Sequence, residues 1–193
     1  MISIYILLGT SFSCLVLTLI YFLHLCGLFR RLSAKIDKPW YPRCIYYRYL
    51  TGHYSNRTKA YRELEILCGA ESKVRTMSLY YDDPYYTNST ECRCAIGVEA
   101  KEEITKRNLI QAGYMSTIFP DIDNAVIVQF HLTTIFSIQI AIWKIYPFIK
   151  WYLKANKLCA YPLIEICHDS VMTVFAPLKK QHDFFVPECA DLL

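Results

Sequence analysis

Residues 125–156 read AVIVQFHLTTIFSIQIAIWKIYPFIKWYLKAN, and this stretch decides the class of fold. Residues 125–132 are apolar and rich in β-branched side chains, the composition of a strand. At Thr133 the periodicity changes. Ile135, Ile138, Ile142, Ile145 and Ile149 recur at intervals of three and four, the repeat of one helical face. Thr133 or Thr134 is placed to cap this helix, which is expected to reach about Asn156 and to kink at Pro147. Ile138 and Ile142 are expected to be buried against a sheet, with Lys144, Lys150 and Lys154 off the apolar stripe. Residues 124–143 carry no formal charge, so a membrane span competes with this reading; Thr133, Thr134, Gln139 and Lys144 argue against it.

On the C-terminal side, residues 163–167 and 171–176 read as a hairpin turning at His168, Asp169 and Ser170. The same order occurs once before. Residues 44–50 are a tyrosine- and isoleucine-rich strand ended by Gly52. A helix follows, capped by Asn56, carried by Tyr61, Leu64, Leu67 and Cys68, and stopped by Gly69. Strands over residues 74–81 and 92–98 flank a loop broken by Asp82, Asp83 and Pro84. Tyr49-Leu50-Thr51 before the first helix parallels His131-Leu132-Thr133 before the second. Between the copies, residues 104–112 suggest a short helix closed by Gly113, and 114–119 a short strand. Residues 183–187 read as a final extended piece. The class is therefore α+β: two strand-helix-strand-strand units, residues 44–98 and 125–176, with helices on one face of a largely antiparallel sheet. Two such halves would meet at a groove along a pseudo-twofold axis, a usual place for a ligand.

Ahead of this domain, residues 1–29 contain no Asp, Glu, Lys or Arg. A helix needs roughly 20 apolar residues to cross a hydrocarbon core. Nothing basic precedes the apolar run, and His24-Leu25-Cys26-Gly27-Leu28 is a poor cleavage site, so a signal peptide fits less well than an anchor. Arg30, Arg31, Lys35, Lys38 and Arg43 follow it, which places the N-terminus in the lumen and the domain in the cytosol. The expected organisation is a transmembrane anchor over 1–29, a basic juxtamembrane linker over 30–42, a cytosolic domain over 43–188 and a short tail over 189–193. Pro39 and Pro42 would keep the linker extended, with Trp40 and Tyr41 at the headgroup level.

Net charge is +4 and is spread along the chain, so no nucleic-acid site is indicated. There are nine cysteines, without regular spacing, and cytosolic ones are expected to stay reduced and pack as small hydrophobes. Cys92 and Cys94 lie two apart, but zinc takes four ligands and no second close pair is nearby; neither a metal nor a cofactor is expected. The sequons at Asn56 and Asn88 would not meet the glycosylation machinery from the cytosol.

Several stretches carry a resemblance. They are Tyr80-Tyr81-Asp82-Asp83-Pro84, Cys92-Arg93-Cys94-Ala95-Ile96-Gly97, Lys157-Leu158-Cys159-Ala160-Tyr161-Pro162, Leu163-Ile164-Glu165-Ile166 and Asp183-Phe184-Phe185-Val186-Pro187-Glu188. With the anchor, they resemble the testis-expressed protein 264 family of reticulophagy receptors over nearly the whole chain. The resemblance implies a gyrase-inhibitor-like domain on the endoplasmic-reticulum membrane, a link to the autophagy machinery, and partnership with the p97 segregase in clearing trapped proteins. The family's modifier-binding motif, aromatic-x-x-hydrophobic, lies in a long acidic tail. No such tail follows Glu188, and Tyr61-Arg62-Glu63-Leu64 falls in a predicted helix. Direct binding of ubiquitin-like autophagy modifiers by residues 33–193 is therefore expected to be weak or absent.

Glu165 is the carboxylate of most interest. On a half-exposed strand a lone Glu points to water; in gyrase-inhibitor-like domains a glutamate at the matching strand lines the ligand groove. Aromatic walls beside it, with Tyr46, Tyr81 and Trp143 as candidates, would suit a cationic, apolar ligand. No phosphate loop or serine-hydrolase elbow occurs, and no Cys/His spacing supports a nucleophile, so a binding module is expected in place of an enzyme, with a small-ligand sensor or enzyme as the alternative.

Overall fold

The structure is a computed structural model and describes residues 2–69 and 75–190. Val74, expected to open a strand, and residues 191–193 of the expected tail lie outside the described residues. In chain order the elements are α1 Ile2–Leu25, β1 Ala34–Asp37, β2 Cys44–Thr51, α2 Arg57–Cys68, β3 Thr76–Tyr80 and β4 Arg93–Val98. Then come α3 Glu103–Gln111, β5 Met115–Ile118, β6 Ala125–His131, α4 Ile135–Ala155, β7 Leu163–His168, β8 Val171–Pro177 and α5 Pro187–Ala190.

All eight strands form one sheet in the order β1-β6-β8-β7-β3-β4-β2-β5, and every pairing is antiparallel. The run β2-α2-β3-β4 is followed by β6-α4-β7-β8, and each places its last strand between its first and second. The two runs meet where β3 pairs with β7. The β7–β8 hairpin turns on Asp169 and Ser170, both at positive φ, as a tight two-residue connection requires.

Thr134 is the N-cap of α4. Its hydroxyl accepts from the Ser137 amide at 3.2 Å, and the Ser137 hydroxyl accepts from the Thr134 amide at 3.1 Å, a reciprocal capping box. The buried face of α4 is Ser137, Ile140, Ala141, Ile145 and Ile149. This corrects the expected phase: Ile135 is 86% exposed and Ile138 44%, and Ile142 is only half-buried. Nearly every position from 138 to 143 is apolar, so a stripe can be drawn on either side of the helix. Replacing Ile145 by alanine should therefore cost about 2–5 kcal/mol, and Ile138→Ala about 1 kcal/mol or less. Equal melting shifts for the two variants, measured by thermal unfolding in detergent, would contradict this phase.

The face of the sheet away from the helices is not open to water. Ile45, Tyr47, Met77, Leu79, Ile164 and Phe175 project from it into a second core. That core is closed by Tyr41, Phe119 and Ile122, and by Phe184, Val186 and Cys189. Residues 183–187, expected as an extended piece, instead span the end of a short 3-10 turn and the start of α5. The linker is also revised. Ala34–Asp37 pairs with β6 as an edge strand, and Tyr41 is buried, stacked at 5.4 Å on Phe175, in place of sitting at the headgroups.

The apolar helix α1 ends at Leu25 in a Schellman motif. The Gly27 amide donates to the His24 carbonyl at 3.0 Å and the Leu28 amide to the Leu23 carbonyl at 3.0 Å. Gly27 has φ +86°, and a Cβ there would lie 2.7 Å from the Phe130 ring. Residues 26–28 are thus packed into the domain, beyond the end of α1. Lys144 donates to the carbonyls of Gly27, Leu28 and Arg30, at 3.3, 2.5 and 2.5 Å. Burial and the neighbouring Arg30 hold its ammonium below the ordinary lysine pKa.

Candidate functional site

Along the β3–β7 seam, Ser78 lies directly across from Glu165. Above them stands one tyrosine from each helix. Tyr61 of α2 shares a hydrogen bond of 2.6 Å with Ser78, and Tyr146 of α4 donates to Glu165 Oε2 at 2.5 Å. Burial, reinforced by the nearby Glu165 carboxylate, pushes both phenols well above the ordinary tyrosine pKa, so both stay protonated. Arg57 joins this cluster from the start of α2. It donates to the Tyr54 carbonyl at 2.6 Å and to the Tyr80 hydroxyl, and its guanidinium lies 4.8 Å from the Tyr80 ring centre. Burial works against the Arg57 charge, and Glu165 leads the groups that outweigh it. Cys167, with Sγ 3.9 Å from Glu165 Oε1, has its thiol pushed up by burial and by that carboxylate.

Beside the seam lies a cavity of about 520 Å³, a size common for small-molecule sites. Tyr80, Tyr146 and Arg57 reach it from the seam cluster, Trp143 from α4, and Tyr85 from the loop after β3. Its charged members are Arg57, Asp83 and Lys150. Lys150 donates to Asp83 at 2.5 Å and sits 4.3 Å from the centre of the Tyr85 ring. The loop holding Asp83 is fixed by Asp82, which accepts from the Arg93 side chain at 2.8 and 2.9 Å and from its amide at 2.7 Å. A lining of aromatic and aliphatic groups, with one ion pair and the Arg57 guanidinium at its margin, suits a largely apolar molecule or an aromatic side chain.

The four residues expected to wall the groove separate. Trp143 lines the cavity and is 68% exposed. Glu165 is 6% exposed and lies beneath Tyr146, behind the cavity. It neither faces water nor lines the cavity, because the helix supplies a phenol that covers it. Tyr81 is buried on the opposite face, donating to the Phe184 carbonyl at 3.2 Å. Side chains alternate along a strand, so its neighbour Tyr80 takes the cavity position. Tyr46 is on the helix side, but on β2, two strands from the seam. Sequence reasoning missed Tyr146, Arg57, Tyr85 and Lys150. Tyr146 falls one residue after the Ile145 of the apolar stripe and had no local signal of its own.

Cys94 is buried among the helix-side residues, its thiol raised by burial to about 11, and Cys92 directs its Sγ at the Asn88 carbonyl, 3.6 Å away. Among the described residues no group of three or more His, Cys, Asp or Glu is arranged to hold a metal.

No protein-family model matches the chain. Testis-expressed protein 264 of Homo sapiens is 32% identical over 181 residues, covering 90% of this chain and 57% of that protein. The homolog of Mus musculus is 33% identical over 150 residues, covering 75% of this chain and 48% of that protein. The chain thus spans about half the length of the curated relatives it matches. Among solved structures, the EcmrR C-terminal domain covers 78% of this chain and 98% of its own at 13% identity, with a TM-score of 0.46, a likeness that decides nothing about the fold.

Proposed function

We propose, for a chain that belongs to the testis-expressed protein 264 family, a single-pass endoplasmic-reticulum membrane protein whose domain faces the cytosol and acts by binding. The observation that carries this reading is α1. Its segment Leu7–Leu25 is long and apolar enough to cross a bilayer and has none of its residues buried in the protein. Arg30 and Arg31 follow directly, the positive flank that stays cytosolic. The domain is assigned the gyrase-inhibitor-like fold, supported by the repeated strand-helix-strand-strand order and by the cavity beside the seam. Reticulophagy and clearance of trapped protein with the p97 segregase are the tasks proposed for it, on the resemblance of its sequence motifs.

Binding is favoured over catalysis because the reactive groups on the helix side of the sheet are quenched. Burial raises the Cys94 and Cys167 thiols, and the Glu165 carboxylate is held by Tyr146. The role proposed for the domain is that of an adaptor. Tyr61-Arg62-Glu63-Leu64 does not extend as a strand onto a modifier's sheet edge, since it lies within α2 with Leu64 buried. Calorimetry of this chain with purified ubiquitin-like autophagy modifiers should show no low-micromolar binding; such binding would restore direct receptor function.

Orientation has its own test. Asn88 is exposed on the loop before β4 and sits in a sequon. If the domain is cytosolic, endoglycosidase treatment of the membrane-expressed protein leaves its gel mobility unchanged. A downward shift abolished by Asn88→Gln would put the domain in the lumen.

The cavity supports a second reading, a small-ligand sensor. Quenching of Trp143 fluorescence by apolar aromatic compounds, lost in Tyr85→Ala, would favour it.

A further inference from the structure

The end of α1 and the start of α4 form one continuous apolar surface. The Phe22 and Phe136 rings meet edge to face at 5.5 Å. The Thr133 hydroxyl donates to the Leu25 carbonyl at 2.5 Å, and Cys26 Sγ lies 3.2 Å from the Thr134 hydroxyl. Cys26 is fully buried, so the two helix ends are locked together and not loosely apposed. Yet Ile135 and Phe136 are 86% and 63% exposed, large apolar side chains at the first turn of an amphipathic helix.

The depth of this turn follows from α1. The span Leu7–Leu25 has 19 residues, about 28 Å at 1.5 Å per residue, close to a hydrocarbon core of about 30 Å. Phe22 is three residues from the end of α1, about 4.5 Å inside it. A ring packed on Phe22 therefore sits at the boundary between hydrocarbon and headgroups. The Lys144 ammonium, bound to the carbonyls that follow α1, and Arg30, which donates to the His131 carbonyl at 2.9 Å, mark the polar side of that boundary.

We propose that the first turn of α4, with Ile135 and Phe136, inserts into the bilayer that holds α1, giving the domain a second membrane contact and a fixed orientation on its surface. This rests on the reading of α1 as a membrane span. The occupant is lipid, because Phe22 is already at lipid depth and carries Phe136 with it. The exposure of Ile135 and Phe136 in the protein alone is then the exposure of lipid-facing groups, like that of α1.

The test uses the full chain in phospholipid nanodiscs containing a lipid with a photoreactive diazirine on its acyl chain. After illumination, adducts are mapped by peptide mass spectrometry. The expected result is labelling of α1 and of Ile135 and Phe136. Phe136→Glu, which removes the ring contact with Phe22 but no residue of the buried α4 face, should lower labelling at Ile135 at least severalfold, since a carboxylate is costly at that depth. Labelling confined to α1 would overturn the inference and leave the span standing. Absence of labelling on both would overturn the two together.

Discussion

Replacing Glu165 by alanine is expected to destabilise the protein by about 3 kcal/mol or more, the cost of leaving the buried Tyr146 hydroxyl without an acceptor and of removing the anionic neighbour of Arg57. For a chain of this size each kcal/mol is worth about 2–4 °C, so melting should fall by on the order of 10 °C. The reason is local. Tyr146 loses the acceptor at 2.5 Å, and Arg57 loses the carboxylate that leads in offsetting its burial. Glu165→Gln keeps an acceptor for the Tyr146 hydroxyl and should cost less, about 1–3 kcal/mol. Tyr146→Phe and Glu165→Ala should be less than additive, because they remove the same contact. Thermal unfolding of the wild type, the three single variants and the Tyr146→Phe, Glu165→Ala double variant in one detergent decides this. A wild-type melting curve for Glu165→Ala would return the carboxylate to the role of an exposed ligand-facing group.

Gly97→Val is expected to prevent folding or to cost more than about 3 kcal/mol, at the far end of overpacking penalties. Gly97 pairs with Tyr47 on one side and Met77 on the other, in the interior strand β4. A Cβ there would stand 2.6 Å from the Tyr46 carbonyl oxygen, 2.9 Å from Tyr47 Cβ and 3.0 Å from Ile45 Cδ1. The oxygen belongs to the neighbouring strand's backbone, so relief requires β2 and β4 to part, and with them a ladder of six residue pairs. Gly9, on α1 with open space around it, provides the contrast. Gly9→Val should leave the domain's melting unchanged. Soluble expression and melting of Gly97→Val close to wild type would show that the sheet opens more readily than this packing allows.

Much of the architecture was legible because it depends on short-range pattern. The strand before Thr133, the helix after it, and the Asp169–Ser170 turn each follow from a few adjacent residues. The candidate site was legible only in outline. Of the expected aromatic walls, Trp143 lines the cavity. Two adjacent tyrosines at a strand end look alike in sequence until the register places Tyr80 on one face and Tyr81 on the other. Ile138 was placed in the core because residues 138–143 are apolar nearly all round, and the choice of face belongs to the Thr134 cap and to Phe136 meeting Phe22.

By itself the sequence determined the quantities carried by composition and period: an uncharged span, a positive flank after it, and two runs that alternate strand and helix in the same order. These are set by solvation of each segment and by the repeat of its side chains, which need no distant partner. Only the tertiary structure decided what depends on contacts between residues far apart. Glu165 is covered because Tyr146, 19 positions away, descends on it. The second face of the sheet is closed because Tyr41 and Phe184 come to it from opposite ends of the domain and meet at 5.7 Å. Helix α1 joins the domain without a flexible linker because Cys26 and Thr134, separated by 108 positions, pack together. A pattern along the chain specifies which faces must be buried, but the shape and the free energy of close packing select what buries them.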